Sequence, residues 1–269
     1  MNYRTRDRYR TQFCFIAPGS MLDRYAIASR THLVLPQVTN EQYREFYRRK
    51  RMEGDFIILD NGAYEGMTDF TGLCEAIEYY KPHVTALPDF LLQDGEKTFD
   101  AADEFLNLYD GPKTKFMYIP QAVPGDVQGF KAWMNKAIKI LRVEWIGIPR
   151  ALVTHIAQGP NAKFARIDLV EELNMRGVKT HALGMANGDL WELDRLAWEG
   201  VVSCDSSAPI WRGVNGYYMS DTEEWDKKGT PVDFDFKGEE PLYVRGGSRV
   251  MENINSVLVA CGKEPFRGA

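Results

Sequence analysis

Short apolar runs alternate with longer amphipathic stretches along this chain, and this alternation constrains the fold more than any other feature. Most of the runs are nearly continuous in apolar or β-branched residues, a pattern typical of strands buried on both faces of a parallel sheet. The pattern predicts eight strands. They lie near residues 12–17, 32–36, 55–60, 83–89, 115–121, 144–150, 178–184 and 200–205.

The stretches between these runs have helical periodicity. In "FKAWMNKAIKIL", for example, Phe130, Trp133, Met134 and Ala137 recur at three- and four-residue steps and form one apolar stripe. No G-x-G-x-x-G follows the first strand, which argues against a dinucleotide-binding fold. Eight strands alternating with helices predict an α/β protein, a (β/α)8 barrel that forms a single domain over residues 1–269.

The region after the eighth run has a different composition. Residues 206–246 are polar and rich in Gly, Trp and Asp, which predicts a long loop inserted on the face where barrels carry their active sites. The segment "SRVMENINSVLVACG", residues 248–262, predicts a closing helix.

Composition excludes several classes of protein. The four cysteines are far apart without a CxxC pair, and the four histidines are equally scattered, so we expect reduced thiols and no metal site. No apolar stretch approaches the roughly 20 residues that a membrane span needs. We therefore expect a cytoplasmic protein, in the host cytoplasm if it is viral, with no membrane partner.

Two basic segments with interleaved tyrosines interrupt an otherwise acidic chain of net charge −5, namely "YRTRDRYR" near the start and "YREFYRRKR" further on. Arginines neutralise phosphates and aromatic faces stack on bases, so Arg48, Arg49 and Arg51 are candidates for contact with a nucleic-acid backbone. The alternative is a solvated tail and a solvated helix face.

Polar residues stand where the predicted strands end. They are Asp60, Asp89, Gln121, Arg150 and Asp205. In a barrel these ends meet at one mouth, where the chemistry takes place. One such Asp is more often a turn former or a helix cap, but three at one mouth predict a carboxylate site. Two carboxylates in one pocket support glycosyl chemistry, because one attacks or stabilises the anomeric carbon while the other moves a proton.

Several of these segments resemble the tRNA-guanine transglycosylase superfamily. "FIILDNGAYEG" is similar to its LDSGG(F/Y) segment, "ALPD" to its base-recognition Asp, "YIPQAVPGD" to its V-Q-G segment and "WIGIPR" to its A-I-G-G strand. "HALGMANGDLWEL" and "GVVSCDSSAP" resemble its L-M-G-x-G-x-P-x-D-L and F-D-C-x-x-P segments. The segments occur in the family's order and cover more than half of the chain.

The resemblance implies a barrel enzyme that exchanges guanine in a nucleic acid for a 7-deazaguanine derivative. It implies that Asp205 is the nucleophile that attacks C1′ and that Asp60 is the general acid/base. Asp89 and Gln121 would hydrogen-bond the base edge, and Gly147 would offer backbone groups and leave room for the heterocycle.

The resemblance also implies a wall for the base pocket. Leu183, Gly184 and Met185 would form that wall, and Tyr64 would be placed to stack on the base. Ordinary packing at the barrel rim is the alternative for Tyr64.

The departures from the family pattern narrow the expected cofactor and the expected nucleic-acid partner. The C-x-C-x-x-C zinc site of the tRNA enzymes is missing, so no cofactor is expected. After Asp60, Asn61 replaces the serine of the family segment and Ala63 replaces its second glycine. The family's P-T-R element is only loosely matched by "APIWRG", which makes Arg212 a weak candidate for phosphate contact. A zinc-less chain looks more like the phage and bacterial DNA 7-deazaguanine transglycosylases, so DNA is the expected partner in preference to tRNA.

Other functions stay open at this point. A hydrolytic N-glycosidase would use the same two carboxylates with water in place of the incoming base. A non-catalytic nucleic-acid-binding subunit would need neither Asp60 nor Asp205. A homodimer, or pairing as an accessory subunit, is compatible with the resemblance.

Overall fold

The computed structural model describes residues 11–63, 70–185, 189–220 and 243–267, and its strands form one parallel sheet. The strands are β1 (Gln12–Phe15), β2 (Thr31–Val34), β3 (Phe56–Leu59), β4 (Val84–Ala86), β5 (Lys115–Tyr118), β6 (Trp145–Pro149), β7 (Lys179–Leu183) and β8 (Ser203–Ser206). Their order is β1-β8-β7-β6-β5-β4-β3-β2, and the terminal strands β1 and β2 contact each other. The sheet is thus nearly closed into a barrel, which confirms the predicted fold class.

Helices connect the strands as the periodicity predicted. They are α1 (Leu22–Tyr25), α2 (Glu41–Met52), α3 (Phe70–Tyr80), α4 (Gly95–Leu108), α5 (Val127–Ile140), α6 (Ala165–Met175), α7 (Leu190–Glu199), α8 (Ala208–Val214) and α9 (Tyr243–Ala260), with short helical turns at Gly19–Met21, Ala26–Ala28, Leu152–Ile156 and Ala162–Phe164. The side chains of Asn40, Asp94, Asp126 and Asp189 cap the N-termini of α2, α4, α5 and α7. Within the described ranges, no helix is both long and apolar enough to cross a membrane.

Aromatic rings fill the barrel at the N-terminal ends of the strands. The rings of Phe56 on β3 and Trp145 on β6 stack with centroids 6.1 Å apart, although two strands lie between them in the sheet. Both side chains therefore point into the interior. Because side chains alternate along a strand, Gly147 on β6 and Asp60 just beyond β3 face the same interior, nearer to the mouth. The barrel interior is thus packed with side chains at the N-terminal ends of the strands and carries polar groups near the mouth.

The segment after β8 differs from the prediction. Residues 206–246 were expected to form a loop, but Ser206 ends β8 and α8 begins two residues later. A Cβ on Gly213 would lie 2.5 Å from the Cα of Val250, so α8 packs closely on α9. α9 spans Tyr243–Ala260, whereas the predicted closing helix covered 248–262. Residues 221–242 lie outside the described residues.

Candidate active site

Asp205 lies at the centre of a group of hydrogen bonds between β7 and β8. Its Oδ1 accepts a hydrogen bond from the backbone N–H of Gly184 (3.0 Å) and lies 3.1 Å from Nε2 of His181. The other ring nitrogen of His181, Nδ1, lies 2.7 Å from the hydroxyl oxygen of Ser203. We call Asp205, His181, Ser203 and Gly184 the Asp205 cluster. It is a carboxylate held by a histidine and a glycine turn.

The arrangement of this cluster leaves Asp205 as its candidate for chemistry. His181 is fully buried and both of its ring nitrogens are engaged, so it has no atom left for a substrate. An ionised carboxylate only accepts hydrogen bonds, which assigns the proton to Nε2 and makes Nδ1 the acceptor from Ser203. All side-chain hydrogen bonds to Asp205 from described residues use Oδ1, so Oδ2 accepts none from them. Asp205 lies inside β8, although the sequence placed it just after the strand.

The turn at Gly184 is fixed from both sides. Gly184 has a φ of 65°, in the left-handed region that glycine adopts at little cost. Its N–H points to Asp205, and its carbonyl accepts a 2.9 Å hydrogen bond from Nη1 of Arg166 on α6. Arg166 is fully buried, and its Nε lies 3.6 Å from a carboxylate oxygen of Glu192 on α7. This pair of helix residues positions the turn that holds the nucleophile candidate.

A second carboxylate, Asp89, follows β4 and accepts hydrogen bonds from two side-chain amides. Nδ2 of Asn61 donates to its Oδ1 at 2.7 Å, and Nε2 of Gln121 donates to its Oδ2 at 2.5 Å. The amide oxygens are engaged as well, by the N–H of Ala63 for Asn61 (2.9 Å) and of Leu92 for Gln121 (3.3 Å). Both amides therefore turn their nitrogens to Asp89. We call Asp89, Asn61 and Gln121 the Asp89 cluster.

The partners of Asp89 are neutral, and this affects its ionisation. Burial raises the pKa of the Asp89 carboxyl to about 6, and the hydrogen bonds from Asn61 and Gln121 lower it only in part. A carboxyl with this pKa changes its charge close to neutral pH, a property that is common in functional sites. The Asp89 cluster spans β3 to β5 and the Asp205 cluster spans β7 and β8, so they lie on different parts of the mouth.

The other predicted pocket residues lie at the same end of the barrel. Asp60 is half-buried, and its N–H extends the ladder by donating to the carbonyl of Val34 (2.9 Å). Leu183 ends β7 half-buried, and Met185 is buried just after the Gly184 turn. Tyr64 lies outside the described residues.

Gly147 differs from its expected role. It was expected to leave room for a heterocycle, but a Cβ there would lie 2.8 Å from Cγ1 of Ile119 and 2.9 Å from Cδ1 of Leu183. The sulfur of Met117 is 3.3 Å away. The structure accounts for Gly147 through close packing of strand side chains, with the space above its Cα already filled.

The arginines proposed for backbone contact lie at the other end of the barrel. α2 follows β2 and runs back, so its C-terminal half lies at the N-terminal ends of the strands, opposite the mouth. Arg48 pairs with Glu45 (3.7 Å), and Arg49 pairs with Asp23 (2.5 Å). Nε of Arg51 donates to the carbonyl of Lys81, which precedes β4 (2.8 Å). The structure therefore does not bring these three arginines to the carboxylates.

Arg212 is also engaged within the fold. It is buried in α8, and its Nη1 donates to the carbonyls of Tyr218 and Met219, both at 3.3 Å. These contacts tie the end of α8 to the segment that follows. They give Arg212 a structural role in the α8 region, and the phosphate contact expected from the sequence stays a prediction.

The sequence patterns did not indicate two of the site residues, Asn61 and His181. Asn61 was noted only as a replacement for a family serine, and His181 was counted among scattered histidines. The signal for His181 was its place two residues before Leu183, because residues i and i+2 of a strand share a face. The signal for Asn61 was its position directly after Asp60, at the end of a strand next to β4.

Neither a metal-binding group within the described residues nor a match to a protein family adds to this picture. The described ranges contain no group of three or more His, Cys, Asp or Glu residues that could hold a metal ion. No protein-family model matches the chain, and no curated protein matches it. The functional assignment therefore depends on the two clusters.

Proposed function

We propose that this protein is a transglycosylase that exchanges guanine in a nucleic acid, DNA in preference to tRNA, for a 7-deazaguanine derivative. The observation that carries the proposal is the Asp205 cluster: a carboxylate at the barrel mouth with one oxygen held by His181 and Gly184 and the other without a hydrogen bond from a described residue. Carboxylates of this kind act as nucleophiles in glycosyl transfer.

In the first step Oδ2 of Asp205 attacks C1′ of the target nucleotide. The bond from C1′ to N9 breaks, guanine leaves and takes a proton from Asp60, and an ester joins Asp205 to the sugar. In the second step Asp60 removes the N9 proton of the incoming 7-deazaguanine, whose N9 attacks C1′ and releases Asp205. The donors on Oδ1 keep the carboxylate oriented through both steps.

The Asp89 cluster supplies base recognition in this proposal. The Watson–Crick edge of guanine presents two N–H donors beside one carbonyl acceptor. The ionised Asp89 accepts from the donors, and Gln121, which is fully buried, holds Oδ2 of that carboxylate beside the base edge. Because Asn61 and Gln121 already orient the carboxylate, little side-chain freedom is lost when the base binds.

Nucleoside mass spectrometry tests the proposal. The purified protein is incubated with guanine-labelled DNA and, in parallel, with tRNA, each with 7-deazaguanine precursors. We expect incorporation into one polymer, most readily DNA, with loss of label in equal amount. Asp205→Asn abolishes it, whereas Asp194→Asn, an exposed substitution on α7, leaves it intact.

The other outcomes identify the alternatives. Abasic sites without incorporation indicate a hydrolytic N-glycosidase, and incorporation into tRNA alone indicates a tRNA-guanine transglycosylase. Binding of nucleic acid without either product indicates a non-catalytic subunit and refutes the proposed exchange.

A further inference from the structure

We infer that Arg150, Lys163, Phe164 and Trp191, here called the rim surface, bind the single-stranded part of a nucleic acid beside the Asp205 cluster. The inference deepens the proposed function, and rests on it for the identity of the reaction only. The sequence placed nucleic-acid contact on α2. The structure points to the opposite end of the barrel.

The rim surface lies at the mouth because of where its residues stand in the chain. Arg150 directly follows β6, Lys163 and Phe164 directly precede α6, and Trp191 is in the first turn of α7. All four follow the carboxyl ends of strands. A Cβ on Gly184 would lie 4.0 Å from the Cβ of Arg150, so Arg150 stands next to the turn that binds Asp205.

The aromatic part of the rim surface is both ordered and accessible. The rings of Phe164 and Trp191 meet edge to face with centroids 5.6 Å apart. The Nζ of Lys163 lies 5.1 Å from the Phe164 ring and 5.7 Å from the Trp191 ring. Even so, 40% of Trp191 remains exposed. An exposed tryptophan held by its neighbours offers a face on which a base stacks with little loss of freedom.

The cations of the two barrel ends differ in their partners. On α2, Arg48 and Arg49 each form an ion pair with a carboxylate. Among the described residues, neither Arg150 nor Lys163 has a carboxylate partner. Positive groups without acidic partners next to an exposed aromatic ring match the charge and the stacking of a single strand. A duplex must also release its guanine from the stack before Asp205 can reach C1′, which favours a single-stranded segment at the mouth.

Fluorescence anisotropy tests the inference with a labelled single-stranded oligodeoxynucleotide and an RNA of the same sequence, at several salt concentrations. The rim variant carries Arg150→Gln, Lys163→Gln and Trp191→Ala. The control variant carries Arg48→Gln, Arg49→Gln and Trp198→Ala, which likewise removes two positive charges and one tryptophan, at the opposite end, where Trp198 is 54% exposed. Thermal melting confirms that both variants are folded.

We expect the rim variant to bind DNA at least about tenfold more weakly, because it loses one stacking platform and two phosphate contacts. The slope of log affinity against log salt should fall by roughly 1 to 1.5 for two lost contacts. The control variant should stay within about twofold of the wild type. The DNA and RNA arms show which polymer the surface prefers.

Equal loss in both variants, loss in the control variant only, or no measurable binding by the wild type would each overturn the inference. These results are separate from the exchange assay. Normal base exchange by the rim variant, with unchanged binding, refutes the rim surface and leaves the proposed function standing. Absence of base exchange by the wild type, together with loss of binding in the rim variant, refutes the proposed function and leaves the rim surface standing.

Discussion

The two ends of the barrel each contain a histidine–aspartate pair, and the pairs differ in what surrounds them. At the mouth, Nε2 of His181 lies 3.1 Å from Oδ1 of Asp205; at the opposite end, Nε2 of His32 lies 3.1 Å from Oδ2 of Asp55. Asp55 also accepts a 2.9 Å hydrogen bond from Nε of Arg30, so both of its oxygens are engaged. A carboxylate whose two oxygens are both engaged, one of them by a cation, has a structural role, whereas Oδ2 of Asp205 accepts no hydrogen bond from a described residue.

A second comparison concerns the effect of partners on ionisation. Burial raises the pKa of the Asp55 carboxyl, but the hydrogen bonds from Arg30 and His32 outweigh it and lower the pKa below its ordinary value. Asp89 has neutral amide partners, and its pKa rises to about 6. Asp55 is thus held ionised at one end of the barrel, whereas Asp89 at the mouth has a pKa close to neutral pH.

The largest expected effect is the difference in base exchange between substitutions of Asp205 and Asp55. Asp205→Asn should reduce base exchange by at least about 10³-fold, because it removes the nucleophile while keeping the shape of the side chain. Asp55→Asn should change exchange by less than about twofold but lower the free energy of unfolding by on the order of 1–3 kcal/mol, through lost charged hydrogen bonds. Parallel exchange assays and urea denaturation measure both. Equal loss of activity in the two variants would break the comparison.

Asp89→Asn should reduce kcat/KM for exchange by about 100-fold, mainly through KM, because an asparagine amide cannot accept from both Asn61 and Gln121. The wild type should also lose activity as the pH falls through about 6, since only the ionised carboxylate accepts from guanine. A pH profile of kcat/KM measures this acidic limb. Its persistence in the Asp89→Asn variant would assign it to another group.

His181→Asn should lower kcat by about 10- to 100-fold with little change in KM, because His181 orients Asp205 without contacting substrate. His32→Asn, the matched change in the other pair, should leave kcat unaltered. Steady-state kinetics on folded protein compare the two. A rise in KM with unchanged kcat for His181→Asn would mean that His181 binds the substrate directly.

The smallest expected effect is on stability against pH. Burial lowers the pKa of His32 from its usual 6.5, so His32 contributes stability above that pH that is lost as the pH falls through its folded value. His32→Asn should flatten the loss of stability below about pH 6.5. Asp89 has a raised pKa, so its contribution has the opposite sign and is lost as the pH rises through about 6. Chemical denaturation from pH 4.5 to 8 measures both trends.

The sequence predicted the barrel because each strand and helix leaves a local pattern. All eight strands overlap the predicted runs. Strand ends also located Asp60, Asp89 and Gln121 at one mouth. Local pattern did not show α8, because the short segment "APIWRGV" contains Pro and Gly and gains its helical structure from packing against α9.

The errors in the site arise from tertiary contacts. His181 gained significance only when β8 placed Asp205 beside it, and Asn61 only when Asp89 came within hydrogen-bond distance. Arg48, Arg49 and Arg51 were assigned by charge alone. The direction of a helix after a parallel strand would have placed them opposite the mouth.

The most direct test of the central claim is to look for an ester on Asp205. The protein is mixed with guanine-containing DNA in the absence of an incoming base, denatured, digested with protease and analysed by mass spectrometry. We predict a denaturation-stable protein–DNA adduct on the peptide that contains Asp205, absent from Asp205→Asn and discharged when guanine is added. An adduct on Asp60, or base exchange that proceeds without any adduct, would contradict the account.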